Sequence, residues 1–496
     1  MERKNGYVVD LPYAALAPAE MSPISIKAMA GLSGVALPSE DKLSYLELGF
    51  GRGLSLNIAA AATGARIAGV DFNDAHVKEA AGMAKASGAK LDLSDASLIE
   101  YAAKGGKPDK DIIALHGVWS WVDDETRNAI ATILKTRLKP GGVALISYNV
   151  SAGWSAIQPL REFFIRYAEA TGERALDAMT GGVEAAEALA SAGARYFQNS
   201  PQALKQVKSM RGQGLRYLVH EYLNEGYRTS SFAELADALE GSGLTYIGPS
   251  RSGERLERQS LPDAPENKAA ADLRFAETAV ELRLGARFRS DLYVKGEAGD
   301  AVDISDQRYA ITGMADQPPK VDQSVDPRFA NLMGRVWQAL ASDGVSPKRH
   351  ADIVSACDGA PSHRVTLALT ALTSRNVVAA CRAEDAPDRE ASARALNAAL
   401  CERTASERES QALASPLIGG PVEVAALGQL FLLAEMQDAG DPVEFVRAKI
   451  ADGQTPPSMA GDAGRIDPDV IQRHYKFFEE RGRRRLTRLG VAPPRE

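Results

Sequence analysis

The run Tyr45-Leu46-Glu47-Leu48-Gly49-Phe50-Gly51-Arg52-Gly53-Leu54 constrains this chain more than any other stretch. It reads as a short apolar strand that ends in a carboxylate and then opens into glycines. Twenty-two residues after Gly49, Asp71 closes a second apolar run, Ala68-Gly69-Val70. A strand, a glycine-rich turn, a helix and a second strand ending in an acid make a nucleoside-binding βαβ unit. Glycines let the backbone approach a ligand closely and supply unusual φ angles. An acid at the end of the second strand can accept both ribose hydroxyls. A glycine-rich loop alone is also compatible with an ordinary tight turn; Asp71 at this spacing and the strand-like flanks weigh against that reading.

The details of the loop choose the nucleoside. A dinucleotide fingerprint wants a third glycine at position 54, which is leucine here; the third glycine is Gly53, and Glu47 precedes Gly49 by two residues. This E-x-G-x-G-x-G form resembles motif I of class I S-adenosylmethionine (SAM) methyltransferases. SAM has no pyrophosphate to be cradled on a helix N-terminus. It has instead a zwitterionic methionine end, a ribose diol and a sulfonium. The resemblance implies SAM as the cofactor, held by Glu47, Gly49, Gly51, Gly53 and Asp71. Asp95 with Ala96 follows the third strand, where class I enzymes contact the adenine amine through an acidic side chain. Asp95 could equally serve as a helix N-cap.

Bulk properties exclude several classes. At 496 residues the chain exceeds one typical core, so two to four domains are expected. A net charge of −7 argues against nucleic acid as a partner, since phosphate binding needs a basic face. Three widely spaced cysteines, Cys357, Cys381 and Cys401, suggest a reducing compartment and no disulfide framework, and none has metal-site spacing. The N-terminus lacks the apolar stretch of a signal peptide, and no apolar run approaches bilayer length. The expectation is a soluble cytoplasmic protein with no metal and no integral membrane segment.

From Lys42 the pattern alternates strand and helix. Strands are expected at 43–47, 66–70, 90–93, 111–116 and 143–148, with helices at 54–62, 74–86 and 124–138. Asp74 is the expected N-cap of the second helix and Gly88 its stop. Five such alternations indicate a parallel, doubly wound sheet. Residues 155–240 are helical in pattern, and strand signals return at 244–247 and 292–295. A class I methyltransferase sheet needs two more strands, the last antiparallel, so these two segments are the candidates. Residues 155–240 would then be a helical insertion over the carboxyl edge of the sheet, as a substrate-covering lid or as a purely structural cap. The Gly-, Asp-, Gln- and Pro-rich stretch 298–326 reads as a domain boundary. Helices at 328–340, 346–355 and 362–372 and a strand at 376–381 resemble a winged-helix module. Its third helix carries His363 and Arg364 but is otherwise apolar, which favours protein contact or dimerisation over DNA. The last hundred residues look mostly helical. Their basic tail, Arg481 to Arg488, fits a solvated helix face or a docking patch for an acidic protein. The whole reads as an α/β protein: a doubly wound seven-stranded methyltransferase core over 1–297 with its insertion, a winged-helix-like module over 298–384 and a mostly helical C-terminal domain over 385–496.

Chemistry in this architecture occurs at the carboxyl end of the fourth strand. Many amino-group methyltransferases place Asn or Asp, two prolines and an aromatic there. This chain has Leu115-His116-Gly117-Val118-Trp119-Ser120-Trp121-Val122. The missing acid or amide counts against exocyclic base amines and glutamine as substrates. The His116–Val122 run looks like the H-G-V-[YW]-S-W-V signature of a bacterial family that joins a SAM methyltransferase core to a methyltransferase regulatory domain. Rickettsial protein-lysine methyltransferases belong to the same group. Further matches are Leu138-Lys139-Pro140-Gly141-Gly142, Ser147-Tyr148-Asn149, Gly153-Trp154, His220-Glu221-Tyr222-Leu223 and Ala414-Ser415-Pro416-Leu417-Ile418-Gly419. The family often has cysteine and a further small residue where this loop has Phe50 and Arg52, and residues 250–290 resemble it only loosely. The resemblance implies methyl transfer to an amine, plausibly of a protein lysine, with a homodimer through the C-terminal modules as a further expectation. Trp119, Trp121 and Tyr148 could wall the amine site, or the tryptophans could simply pack in the core. His116 could contact the cofactor and take a proton, or merely orient the strand–loop turn. Tyr13 or Tyr7 could close over the SAM site. A small-molecule methyltransferase and a non-catalytic SAM-binding regulator are the competing functions.

Overall fold

The computed structural model describes residues 3–4, 7–8, 11, 15–259, 272–299, 302–313, 326–342, 346–386, 388–406, 412–451 and 468–494. Seven strands form the central sheet: β1 Ser44–Leu48, β2 Arg66–Val70, β3 Leu91–Ser94, β4 Lys110–Leu115, β5 Leu138–Asn149, β6 Leu244–Pro249 and β7 Phe288–Lys295. Their order is β3-β2-β1-β4-β5-β7-β6. The first five pair in parallel, and β7 lies antiparallel between β5 and β6. This is the class I methyltransferase sheet, with the late antiparallel strand where the sequence placed it. The chain winds outward from β1 through β2 to β3, then crosses to β4. The crevice at that reversal, beyond the strand ends, is where open α/β sheets bind ligands.

The period-two pattern of the strands builds a core on each face. Tyr45, Ile112, Ala114, Val143 and Leu145 point to one face, against Leu56, Ala59 and Ala60 of helix Leu54–Ala62. Leu46, Leu48, Ile113, Leu115, Ala144 and Ile146 point to the other, against Ile130, Ile133 and Leu134 of helix Asp124–Arg137. Helix Asp74–Ser87 ends at the left-handed Gly88 as expected, but Asn73, not Asp74, is its N-cap, accepting from Ala75 N–H at 3.0 Å. β5 begins five residues before the expected Val143, because Pro140-Gly141-Gly142 forms an irregularity within the strand, with Gly141 at φ 75°, instead of a turn before it.

Between β5 and β6 the insertion folds as helices, among them Gln158–Thr171, Ala175–Ser191, Pro201–Met210 and Leu215–Leu223, around their own apolar core. Further on, helices Pro327–Ala341, His350–Ala356 and Ser362–Thr373 pack on a three-stranded antiparallel sheet whose middle strand is Arg308–Ile311. That strand lies in the stretch read as a boundary. Only four residues long and set among turn formers, it has no legible period. The C-terminal part is mostly helical, with one hairpin, Ala412–Ser415 and Gly420–Glu423, around the motif at 414–419. Much of the basic tail is spent internally. Arg483 pairs with Glu435 at 2.7 Å, Arg485 donates to the carbonyls of Thr312 and Glu423, and Arg488 donates to Gly313 O.

A buried ion pair fastens the later modules to the sheet domain. Arg382 Nε lies 3.0 and 2.9 Å from the two carboxylate oxygens of Glu40, and both side chains are under 10% exposed, at 7% and 6%. Removing one partner of a buried pair strands the other charge. Arg382→Ala is therefore expected to cost about 3–5 kcal/mol, seen as a lowered Tm in thermal denaturation; an unchanged Tm contradicts the assignment.

Candidate functional site

A cavity of about 890 Å³ opens at the carboxyl ends of the strands. Its first part is built by the glycine loop. Gly49, Gly51 and Gly53 have φ of 68°, 56° and 74° and carry the chain from β1 into helix Leu54–Ala62. A Cβ on Gly49 would sit 2.6 Å from Val118 Cγ2, and one on Gly53 2.5 Å from Ala80 Cβ. A Cβ on Gly51 would meet nothing within 4 Å, because this residue borders the cavity. The backbone here is open to a ligand in the way a SAM loop requires.

The two acids flank this loop. Gly51 N–H donates to Asp71 Oδ2 at 2.8 Å, Asn73 N–H donates to Oδ1 at 2.9 Å, and His76 Nδ1 lies 3.2 Å from Oδ1. A carboxylate offers about four acceptor positions, which leaves capacity for a ribose hydroxyl. Glu47 accepts from Ser55 Oγ at 2.7 Å and Tyr45 OH at 3.3 Å. Burial pushes its carboxyl up to about 7, against those two hydrogen bonds, and the nearby Asp71 adds to the rise. Asp95 lines the cavity beyond β3. It is not the N-cap of the following helix, because Ser97 caps Leu98–Ala103 in a capping box with Glu100. Ala96 is buried and does not line the cavity.

β4 delivers the His116–Val122 turn to the middle of the cavity. Gly117, at φ 67°, donates its N–H to Ser147 Oγ at 2.8 Å, and Ser120 Oγ accepts from Asn149 N–H at 2.8 Å. The turn is thus sewn to the end of β5. His116 borders the cavity; its ring centroid stands 5.4 Å from that of Phe288, and its buried Nε2 makes no hydrogen bond. That nitrogen lies 3.8 Å from Glu20 Oε1, and Glu20 pairs with Arg251 at 2.8 Å. Burial lowers the His116 pKa, Glu20 opposes the shift, and Arg251 reinforces it. The imidazole is therefore neutral near pH 7.

The four residues proposed from sequence for chemistry do not stay together. Trp121 and Tyr148 line the cavity with His116. Trp119, 1% exposed, packs in the core between the sheet and helix Asp124–Arg137, with the Arg127 guanidinium 5.8 Å from its ring centre. It starts the short 3-10 turn, which directs it back into the core, so it is not a cavity wall. Tyr148 OH donates to Asp291 Oδ2 at 3.0 Å, and burial holds the phenol far above its usual range. Its hydroxyl is committed away from proton transfer.

Past His116 lies an aromatic lobe of the cavity, of which the sequence assigned only Trp121. Trp121, Trp154, Tyr217, Glu221, Tyr222 and Arg287 line it. Tyr217 and Glu221 are four apart on helix Leu215–Leu223 and so share a face. Tyr227 braces the wall, its ring 4.6 Å from Trp121 and 5.1 Å from Trp154. Arg287 lies over Trp154 at 5.1 Å and donates to Gln206 Oε1 at 2.8 Å. The only sequence signal for this helix was the likeness of His220-Glu221-Tyr222-Leu223. His220 itself turns to the N-terminal arm, its Nε2 3.0 Å from Leu11 O. Tyr13 and the side chain of Tyr7 lie outside the described residues.

Comparison with known proteins agrees with this layout. Residues 46–142 match the family model of a methyltransferase domain, and residues 215–295 match that of a predicted methyltransferase regulatory domain. The chain is 27% identical over 460 residues to the uncharacterized protein sll1526 of Synechocystis sp., covering 90% of each chain. It is 25% identical over 287 residues to the uncharacterized protein RP789 of Rickettsia prowazekii, covering 57% of this chain and 51% of that one. The solved structure of PKMT2 from Rickettsia typhi in complex with AdoHcy shares the fold, with a TM-score of 0.68 at 16% identity, over 97% of this chain and 99% of that chain.

Two binding experiments test the loop. Asp71→Ala is expected to raise the SAM Kd at least tenfold by calorimetry, equivalent to about 1.4 kcal/mol; an unchanged Kd rejects Asp71 as the ribose acceptor. Glu47 loses its charge as pH falls through about 7, and the neutral acid attracts the methionine ammonium less. SAM affinity should therefore fall between pH 7 and 5, and Glu47→Gln should flatten that dependence. With both family models matched and the class I strand order in place, the chain is a SAM-dependent methyltransferase that carries a methyltransferase regulatory domain.

Proposed function

We propose that this enzyme methylates the side-chain amine of lysine in a protein substrate. The observation that carries the proposal is the part of the cavity beyond His116, where Trp121, Trp154, Tyr217 and Tyr222 stand with the carboxylate of Glu221. The likeness of His116–Val122 to the family that includes protein-lysine methyltransferases supports the same reading, as does the fold shared with PKMT2 from Rickettsia typhi.

SAM supplies an electrophilic methyl on its sulfonium. The chain's own residues then have three tasks. Glu221 attracts the incoming ammonium, and the apolar surroundings of Trp121, Trp154 and Tyr222 favour its neutral, nucleophilic form. The walls of the lobe hold the amine in line with the methyl, which is where most of the rate gain of such a reaction arises. The aromatic faces stabilise the methylated cation, and the neutral His116, whose Nε2 makes no hydrogen bond, accepts the released proton directly or through water. The insertion helices act as the cover of this lobe. The winged-helix-like module over 298–384 is read as a protein-contact unit, since its third helix, Ser362–Thr373, is largely apolar.

Incubation with radiolabelled SAM and cell extract tests the proposal. Base-stable label in protein, mapped by mass spectrometry to lysine, is expected. Label confined to the small-molecule fraction, or SAM binding without label anywhere, overturns it. His116→Ala should lower kcat about 10²-fold or more if it is the base while leaving the SAM Kd unchanged; full turnover removes that role. Glu221→Gln should raise the KM for the protein substrate about tenfold with SAM affinity kept, and an unaltered KM removes Glu221 from amine recognition.

A further inference from the structure

The glycine loop is held on the sheet side by backbone hydrogen bonds from Gly49 to Val70 and from Gly51 to Asp71, and on the opposite side by side chains. Three of the five residues from Gly49 to Gly53 are glycine, which populate many backbone states before folding. Its two other residues anchor it. Phe50 is buried and lies over Gly69, where an added Cβ would fall 2.6 Å from its ring. Arg52, its side chain 6% exposed, runs to Glu79 on helix Asp74–Ser87, with Nε 2.9 Å from each carboxylate oxygen. This two-oxygen contact fixes direction as well as distance.

Glu79 does not serve Arg52 alone. Arg403, on helix Glu390–Ser406 of the C-terminal part, also reaches Glu79 Oε1. The same helix packs on both Leu54–Ala62 and Asp74–Ser87, and Ser392 Oγ donates to Ser87 O at 3.0 Å. Leu54, Ile58, Ala61, Ala62 and Met83 belong to the apolar core of the C-terminal part. The back of the loop's own helix is thus built into a module some 340 residues away in sequence. Two cations converge on one anion, so Glu79 is drawn to a position between them, and Arg52 follows.

We infer that the C-terminal module sets the shape of the SAM loop through Arg403, Glu79 and Arg52, and that Arg403 is a remote positioning residue for cofactor affinity. The inference rests on the glycine loop being the SAM site. Arg403 touches neither the cavity nor the amine lobe, so its effect is confined to cofactor binding. Arg403 and Glu79 are 27% and 25% exposed, so the link is partly screened by salt.

Calorimetric SAM titrations of the full chain test this. Arg403→Ala should raise the SAM Kd about three- to tenfold, a cost of about 0.7–1.4 kcal/mol by the conversion of tenfold to 1.4 kcal/mol. The kcat and the protein-substrate KM at saturating SAM should stay unchanged. Arg403→Lys, which keeps the charge but not the planar fork, should fall between the two. Adding Arg403→Ala to Arg52→Ala should cost little beyond Arg52→Ala alone, since the two act through one carboxylate. A SAM Kd for Arg403→Ala within twofold of the parent overturns the inference, as do effects that multiply in the double variant. If Asp71→Ala weakens SAM binding while Arg403→Ala does not, this inference fails and the loop assignment stands. If neither changes the Kd, the loop assignment itself fails.

Discussion

The hydrogen bond from Gly51 N–H to Asp71 Oδ2 joins the ends of two neighbouring parallel strands, and the site is arranged around it. Parallel strands have no hairpin to set their ends relative to each other. Here the ends are stapled in series. Gly49 N–H donates to Val70 O at 2.7 Å, Gly51 to Asp71, and Asp71 N–H to Ser94 O at 3.0 Å. The curvature of the loop, the direction of the Asp71 carboxylate and the start of the following helix are therefore one geometric problem with one solution. Changing the register of β1 against β2 by one residue would turn the side chains of the shifted strand to the opposite face of the sheet.

What lies past His116 comes from a different part of the chain and obeys a different constraint. Tyr217, Glu221 and Tyr222 reach the strand ends because the insertion returns to them. Arg228 N–H donates to Ser120 O at 2.8 Å and Ser230 N–H to Asn149 O at 2.9 Å, tying the end of the insertion to the His116–Val122 turn. The segment matched as a regulatory domain, 215–295, therefore contains strands β6 and β7 and also supplies part of the cavity wall. Its residues are not a separate unit attached to a finished catalytic core.

The sequence was most legible where one period governs a whole element. Helix Leu54–Ala62 and strand Arg66–Val70 were read to the residue, because glycines and an acid punctuate a buried alternation. Legibility failed where a few residues carry an element, as in Arg308–Ile311, or where two side chains compete for one role. Asn73 and Asp74 both suit an N-cap; the extended backbone of Asn73, φ −93° with ψ 107°, and its bond from Ala75 N–H distinguish them. Tryptophan 119 and tryptophan 121 looked equivalent in the motif, yet one turn of 3-10 helix sends the first into the core and the second to the cavity. Apart from Trp121, the residues of the aromatic lobe, with Glu20 and Arg251, could not be found by spacing at all. They lie in segments distant along the chain from the motif they serve, and no periodicity records that return.

The placement of β7 bears on how the molecule is made. Tyr148 and Asp291, bonded across β5 and β7, are 143 residues apart in sequence. Pairing over such separations is entropically costly and slow. During synthesis β1 to β5 emerge together with the loop they support, whereas β5 keeps an open edge until residue 295 has left the ribosome. Open edges invite pairing with other chains. The insertion between them gathers its own apolar core, and once folded it shortens the effective gap. A nascent chain halted before β7 would expose the edge of β5, and its nucleoside loop would still lack the C-terminal helix on which Glu79 and the back of helix Leu54–Ala62 rest.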